Sequence, residues 1–195
     1  MKVPTPTLLP ILRSDGQGRI LSTVLLNYGG MSLSEIAKRS DVDLPSVQRE
    51  VKRLVDAGIV TTERRGNLRL VTTTDNEVTR ALTHLIGVTY GPVPILREAL
   101  KDLDSISEAY VFGSYAKRYD GAPGSVPNDI DVLVVTGDYA AYDEALERIE
   151  TIGKRLGREI NTHRVHPDEW NHTPTPRGFV TTVKNSALVA LREIP

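Results

Sequence analysis

The chain of 195 residues has no cysteine, which excludes disulfides and thiolate metal sites. It also lacks any apolar run approaching the roughly 18–20 residues that a helix needs to span a bilayer. The opening Met1-Lys2-Val3-Pro4-Thr5-Pro6-Thr7 carries no apolar core of the signal-peptide kind. There is no internal repeat and no low-complexity segment. A surplus of one charge is missing as well, with 24 Lys and Arg against 25 Asp and Glu. These absences predict a cytoplasmic protein with no membrane partner, and the length suits one large or two small domains.

The near-neutral total hides a modest asymmetry. Residues 1–75 carry 11 Lys and Arg against 8 Asp and Glu, whereas the remainder is acidic. That is the direction expected if only the first half meets nucleic acid. Arg19-Ile20-Leu21-Ser22-Thr23-Val24-Leu25-Leu26 predicts an apolar helix face that stops near Gly29-Gly30. Ser32-Leu33-Ser34-Glu35 reads as a capping box that opens a second short helix. After Asp41-Val42-Asp43, a third helix starts near Leu44-Pro45-Ser46, where proline in the first turn loses no hydrogen bond. It carries Val47, Val51, Leu54 and Val55 on one face and stops at Ala57-Gly58. Residues 59–64 and 68–72 then flank a turn at Arg65-Gly66-Asn67 and predict a β-hairpin.

Three helices and a hairpin in this order predict a winged helix-turn-helix over residues 1–75, with double-stranded DNA as partner. The third helix offers Ser46, Gln48, Arg49, Lys52 and Arg53, and the wing offers Arg64, Arg65 and Arg69. Gln and Arg suit base edges, while Lys and wing arginines suit phosphates. Leu33-Ser34-Glu35-Ile36-Ala37 and the stretch from Val51-Lys52-Arg53 to Gly58-Ile59-Val60 resemble the winged-helix bacterial repressors. That resemblance implies a homodimer matched to palindromic half-sites. Residues 76–91 predict a linker helix capped by Thr74-Asp75-Asn76-Glu77 and interrupted at Gly87 and Gly91-Pro92, followed by a helix from Pro94 to Leu103.

The chemistry is concentrated later. Ala109-Tyr110-Val111-Phe112 precedes Gly113-Ser114, and Asp129-Ile130-Asp131 opens the apolar run Val132-Leu133-Val134-Val135. Two carboxylates two residues apart on a strand share a face and can hold one divalent cation. Gly113 permits a turn that a side chain would obstruct, and the Ser114 hydroxyl can donate to a phosphate oxygen. A phosphate cradle beside a metal clamp is equipment for phosphoryl or nucleotidyl transfer. Lys117 and Arg118 are further candidates for touching a triphosphate. Strands at 109–112, 130–135 and 158–165, with helices at about 114–119 and 139–156, predict a mixed-sheet α/β unit over residues 92–195. The fold class expected is therefore α+β in two domains.

The Gly-Ser turn followed by Asp-x-Asp resembles the minimal nucleotidyltransferases of the DNA polymerase beta superfamily, over roughly residues 92–195. The resemblance implies Mg2+ (or Mn2+) carried by Asp129 and Asp131, an NTP whose phosphate meets Ser114, and transfer of the nucleotide to a protein, tRNA or small-molecule acceptor. A place in a toxin–antitoxin pair is a third reading that the resemblance implies. Active members supply a third carboxylate from a later strand, and Asn161 stands there in Arg158-Glu159-Ile160-Asn161-Thr162. Asparagine is a poor metal ligand beside aspartate and cannot serve as a base near neutral pH. Glu159 has the same strand parity, displaced by about 6–7 Å, and is the substitute candidate. The expectation is a DNA-binding regulator whose second domain binds a nucleotide with weakened catalysis; the rival is an active transferase. His163, His166 and His172 lack the spacing of a zinc site. Trp170 is expected to cap a core, and residues 185–191 to form a final packing element.

Overall fold

A computed structural model describes residues 12–27, 29–66, 68–122, 126–172 and 178–192. The chain divides into two compact units, Met1–Gly91 and Pro92–Pro195.

The first unit opens with α1 (Asp15–Leu25), capped by Ser14, whose side chain accepts from the Gln17 N–H. β1 (Met31–Ser32) leads directly into α2 (Leu33–Ser40). Ser32 and Glu35 close the capping box in both directions, satisfying two backbone donors that the first turn would otherwise leave open. Asp41 ends α2 in the left-handed conformation (φ 51°), which aspartate tolerates better than most residues. Asp43 caps α3 (Leu44–Asp56) by accepting from the Ser46 N–H, and Pro45 sits in the first turn. β2 (Val60–Arg65) and β3 (Leu68–Thr73) pair antiparallel from Val60 opposite Thr73 to Arg65 opposite Leu68, and β1 joins the far side of β3. Ile20, Val24, Ile36, Val47, Val51, Leu54 and Val71 form the core between the helices and this sheet.

Glu35 and Asp43 also set a pH dependence. The backbone N–H and hydroxyl of Ser32 hold Glu35 below the ordinary carboxylate range, and the hydroxyl and backbone N–H of Ser46 do the same for Asp43. A carboxyl that titrates lower when folded contributes stability above its unfolded pKa of about 4 and loses it as pH falls through the folded value. The thermal midpoint of this unit is therefore expected to fall on acidification below about pH 4. A Glu35→Gln/Asp43→Asn variant should lose part of that dependence in a pH series of thermal melts.

α4 (Glu77–Tyr90) differs from its expected role. Asn76 caps it, but the helix runs unbroken through Gly87 and ends at Gly91. Gly87 faces Leu26 in the core, and Ile86 is fully buried there. Tyr90 lies so close to Gly18 that an added Cβ on Gly18 would come within 2.3 Å of its ring. The helix expected as a linker is thus packed on α1 as part of the first unit. One glycine in a helix costs about 1 kcal/mol, which this burial offsets.

The second unit runs α5 (Pro92–Leu100), β4 (Glu108–Phe112), α6 (Gly113–Tyr119), β5 (Asp129–Val135), α7 (Tyr139–Leu156), β6 (Glu159–Val165), α8 (Pro167–Asn171), α9 (Phe179–Lys184) and β7 (Val189–Arg192). The sheet order is β6-β5-β4-β7, with β5 and β6 parallel and the other pairs antiparallel. The parallel pair needs a crossover, and α7 supplies it. Asp138 caps α7 at its start, and Gly157 closes it in the left-handed conformation. The tail expected as a packing element is β7, which completes the sheet at the free edge of β4.

The two faces of this sheet differ. Ile130, Val132 and Val134 alternate on the face that is wholly buried, and α7 lies on that side, with Gly153 against Ile160. On the other face Leu133, Val135 and Val165 pack with Trp170, Val180 and Val183 from α8 and α9. Each fully buried Leu, Ile or Val contributes about 1.5–3 kcal/mol relative to an exposed position. At the start of β5 that second face carries Asp129, which is exposed, and Asp131, which is half-buried.

Candidate nucleotide and nucleic-acid sites

β4 ends at Phe112, which pairs directly with Asp131 of β5. Gly113 then turns the chain with φ +75°, and a Cβ on it would lie 2.5 Å from Asp131 Oδ2. Glycine is required here twice, for the dihedral and for the space. Ser114 follows on the exposed start of α6, while Asp129 is exposed and Asp131 half-buried. In the parallel register Asp129 faces Glu159 and Asp131 faces Asn161. All four side chains therefore share one face at the start of two adjacent strands.

Asn161 Nδ2 donates to Asp131 Oδ1 at 3.3 Å. The amide thus occupies the place beside Asp131 where a third carboxylate is expected. Glu159 lies one row away, against Asp129 rather than Asp131. Among the described residues, no three His, Asp or Glu side chains gather tightly enough to hold a metal ion unaided. Two carboxylates with hard oxygen donors do suit Mg2+, which is commonly held by one or two carboxylates plus phosphate and water. His166 instead caps α8 by accepting from the Asp168 N–H, and His172 Nδ1 meets the Asp168 carbonyl.

The two cations nominated beside Ser114 behave differently. Lys117 is exposed, whereas Arg118 Nη1 donates to the Ala122 carbonyl at 2.6 Å and so braces the loop that follows α6. The far end of that loop is held by a residue the sequence did not mark. Arg158 Nη1 donates to the Pro127 carbonyl at 2.5 Å, and its guanidinium lies 5.8 Å from the Tyr115 ring centroid. Burial lowers the Arg158 pKa and pushes that of Tyr115 up to about 12. One side chain therefore ties the helix after Ser114 to the segment that enters Asp129. Nothing in local sequence pattern signals a contact of this kind. The middle of the loop, residues 123–125, lies outside the described residues.

Rings adjoin the carboxylates. His163, two residues beyond Asn161, lies 5.7 Å from Phe112 and 5.3 Å from Phe179, and the two phenylalanines are 6.0 Å apart. Local sequence pattern does not mark Phe179, because α9 is too short to show a period. Trp170 does cap the core, with Nε1 donating to Glu108 Oε2 at 2.8 Å.

In the first unit α3 turns Val47, Val51 and Leu54 inward and leaves Gln48, Arg49, Lys52 and Arg53 exposed, with Ser46 half-buried. Arg49 Nη2 donates to Ser46 Oγ at 2.9 Å. Glu50 is buried on the same helix, held by Gln17 Nε2 at 2.8 Å and by Arg53 Nη1 at 3.0 Å. It fixes the helix to α1 and engages Arg53, leaving Arg49 and Lys52 as the freer cations. On the wing, Arg64 and Arg69 stand directly opposite each other, and Arg69 Nη2 donates to Thr62 Oγ1 at 2.9 Å. The Arg65 side chain and all of Asn67 lie outside the described part of the structure.

Comparison with known proteins agrees with this division. Residues 21–79 match the family described as sugar-specific transcriptional regulator TrmB. Residues 93–189 match the nucleotidyltransferase domain family. Among curated proteins no match was found. Among solved structures, the MarR family transcriptional regulator SPO1453 from Silicibacter pomeroyi DSS-3 is 24% identical over 47% of this chain and 63% of its own, with a TM-score of 0.38. Human N-acetylserotonin methyltransferase, in complex with SAM, is 12% identical over 72% of this chain and 43% of its own, with a TM-score of 0.29. The chain spans less than two thirds of the length of either structure. In N- to C-terminal order, then, the chain carries a match to a TrmB-type winged-helix domain and a match to a nucleotidyltransferase domain.

Proposed function

We propose that this chain is a cytoplasmic transcriptional regulator that binds double-stranded DNA as a homodimer and carries a nucleotide-binding domain weakened for catalysis. The observation that supports this best is Asn161, an amide facing Asp131 in register and donating to it at 3.3 Å. A carboxylate there would take the proton of an attacking hydroxyl; an amide has no such capacity.

On this reading, Asp129 and Asp131 hold Mg2+ or Mn2+, and the Ser114 hydroxyl donates to a phosphate oxygen of an NTP. The ion neutralises phosphate charge when bound. Gly113 keeps Asp131 accessible by leaving room for its carboxylate, and Arg158 positions the two chain segments that carry Ser114 and Asp129. Lys117 supplies a cation near the phosphates. At the DNA, Ser46, Gln48 and Arg49 reach base edges from α3, while Lys52, Arg53 and the wing arginines Arg64, Arg65 and Arg69 meet phosphates. The Arg64–Arg69 cross-strand pair favours an anionic partner, since like charges set opposite each other are unfavourable in an isolated hairpin. Nucleotide occupancy then tunes DNA affinity.

A second reading, an active transferase toward a protein or tRNA, is favoured by the register of Glu159 with Asp129, which sets a second carboxylate in that row. The test of the nucleotide site is equilibrium binding of ATP in Mg2+ by the full chain. Saturable binding that falls at least about tenfold in Asp129→Ala/Asp131→Ala is expected, since two charge-assisted ligand contacts are lost together. Unchanged binding in that variant would remove the carboxylates from the nucleotide site.

A further inference from the structure

The ring cluster beside the carboxylates extends the nucleotide-binding reading and rests on it. The whole chain contains two phenylalanines, and they meet here. Phe112 pairs with Asp131 across the sheet, and His163 follows Asn161 by two residues on the same face of β6. Two residues along a strand span about 6.6 Å, so the rings begin where the carboxylate row ends. Phe112 is half-buried against the core, with Trp170, Val180 and Val183 behind it. Phe179 is different, with 45% of its surface exposed. Among the described residues of this unit, Tyr139 is the other large apolar side chain exposed to a comparable degree, and the Arg164 guanidinium covers its ring at 3.9 Å. Among the described residues, Phe179 has rings behind it and no cation over its ring.

We infer that Phe112, His163 and Phe179 form the seat for the base of the bound nucleotide, with the base stacked on Phe179 and His163 while its phosphates lie along Gly113, Ser114 and the two aspartates. The occupant follows from what adjoins the seat: an apolar, ring-lined shelf that continues directly from a phosphate-and-cation row matches a molecule with a charged tail and a planar head. Of the three side chains His163 alone offers hydrogen-bonding atoms, so recognition works mainly through stacking area. Every base has a π-face, and stacking on aromatic side chains tolerates base identity. The seat therefore accepts any NTP and favours purines over pyrimidines.

Equilibrium dialysis of the full chain in Mg2+ against ATP, CTP and inorganic tripolyphosphate tests this. ATP is expected to bind about tenfold more tightly than tripolyphosphate, with CTP between them. Phe179→Ala should bring ATP to within about twofold of tripolyphosphate and leave tripolyphosphate itself unchanged, because the phosphate row is intact. Phe179→Tyr keeps the ring face and should bind ATP as the unaltered chain does. ATP affinity unaffected by Phe179→Ala, or CTP binding more tightly than ATP, would overturn the inference while leaving the phosphate site standing. A chain that binds neither ATP nor tripolyphosphate would overturn the nucleotide-binding reading itself.

Discussion

Asn161→Asp is expected to raise transfer of an NMP from an α-labelled NTP by roughly 100-fold or more over the unaltered chain. The substitution is nearly isosteric and replaces the amide that faces Asp131 in register. It removes a neutral donor at 3.3 Å and installs a carboxylate in its place. Without a cation, two such carboxylates repel. With Mg2+ the repulsion is relieved, so the gain should appear only in the presence of metal. A positioned base contributes typically about 10²–10⁴-fold to such steps, which sets the expected size. The readout is label incorporated into cell-extract macromolecules, in Mg2+ and in chelator. A variant that binds NTP but transfers no more label than the unaltered chain would show that position 161 is not where the missing group belongs.

Arg49→Ala/Lys52→Ala is expected to weaken binding of the protein to its own promoter fragment ten- to a hundredfold, as about two phosphate or base contacts are lost. It should also reduce the slope of log affinity against log salt by about 0.9, since Lys52 meets a phosphate and Arg49 a base edge. These two residues make the cleaner test, since Arg53 is engaged with buried Glu50 and its removal would also disturb the link between α3 and α1. A mobility-shift titration at several salt concentrations measures both quantities. An unchanged slope with unchanged affinity would move the DNA contacts off α3.

Much of the fold was legible because its punctuation is local. Ser32 with Glu35, Asp43 with Pro45, and Gly58 after α3 are short-range signals, and the structure uses each of them. The Gly113 turn and the carboxylates of β5 were legible for the same reason, and the resemblance to the nucleotidyltransferases marked Asn161 as standing where a third carboxylate belongs. What escaped depends on contacts distant in sequence. The packing of α4 turns on Tyr90 meeting Gly18, and periodicity read Gly87 as a break because it could not see that contact. Arg158 acts on a carbonyl 31 residues away. Phe179 sits on a helix of six residues with no period to detect, and His163 was weighed only as a metal ligand.

The central claim is that the second domain binds nucleotide without efficient transfer. The most direct measurement exposes the full, unaltered chain to α-labelled ATP, Mg2+ and cell extract, and records binding and covalent incorporation in the same samples. Saturable binding with little or no incorporated label is the expected result. Abundant label transferred at the rate of an Asn161→Asp variant, or no ATP binding at all, would contradict it.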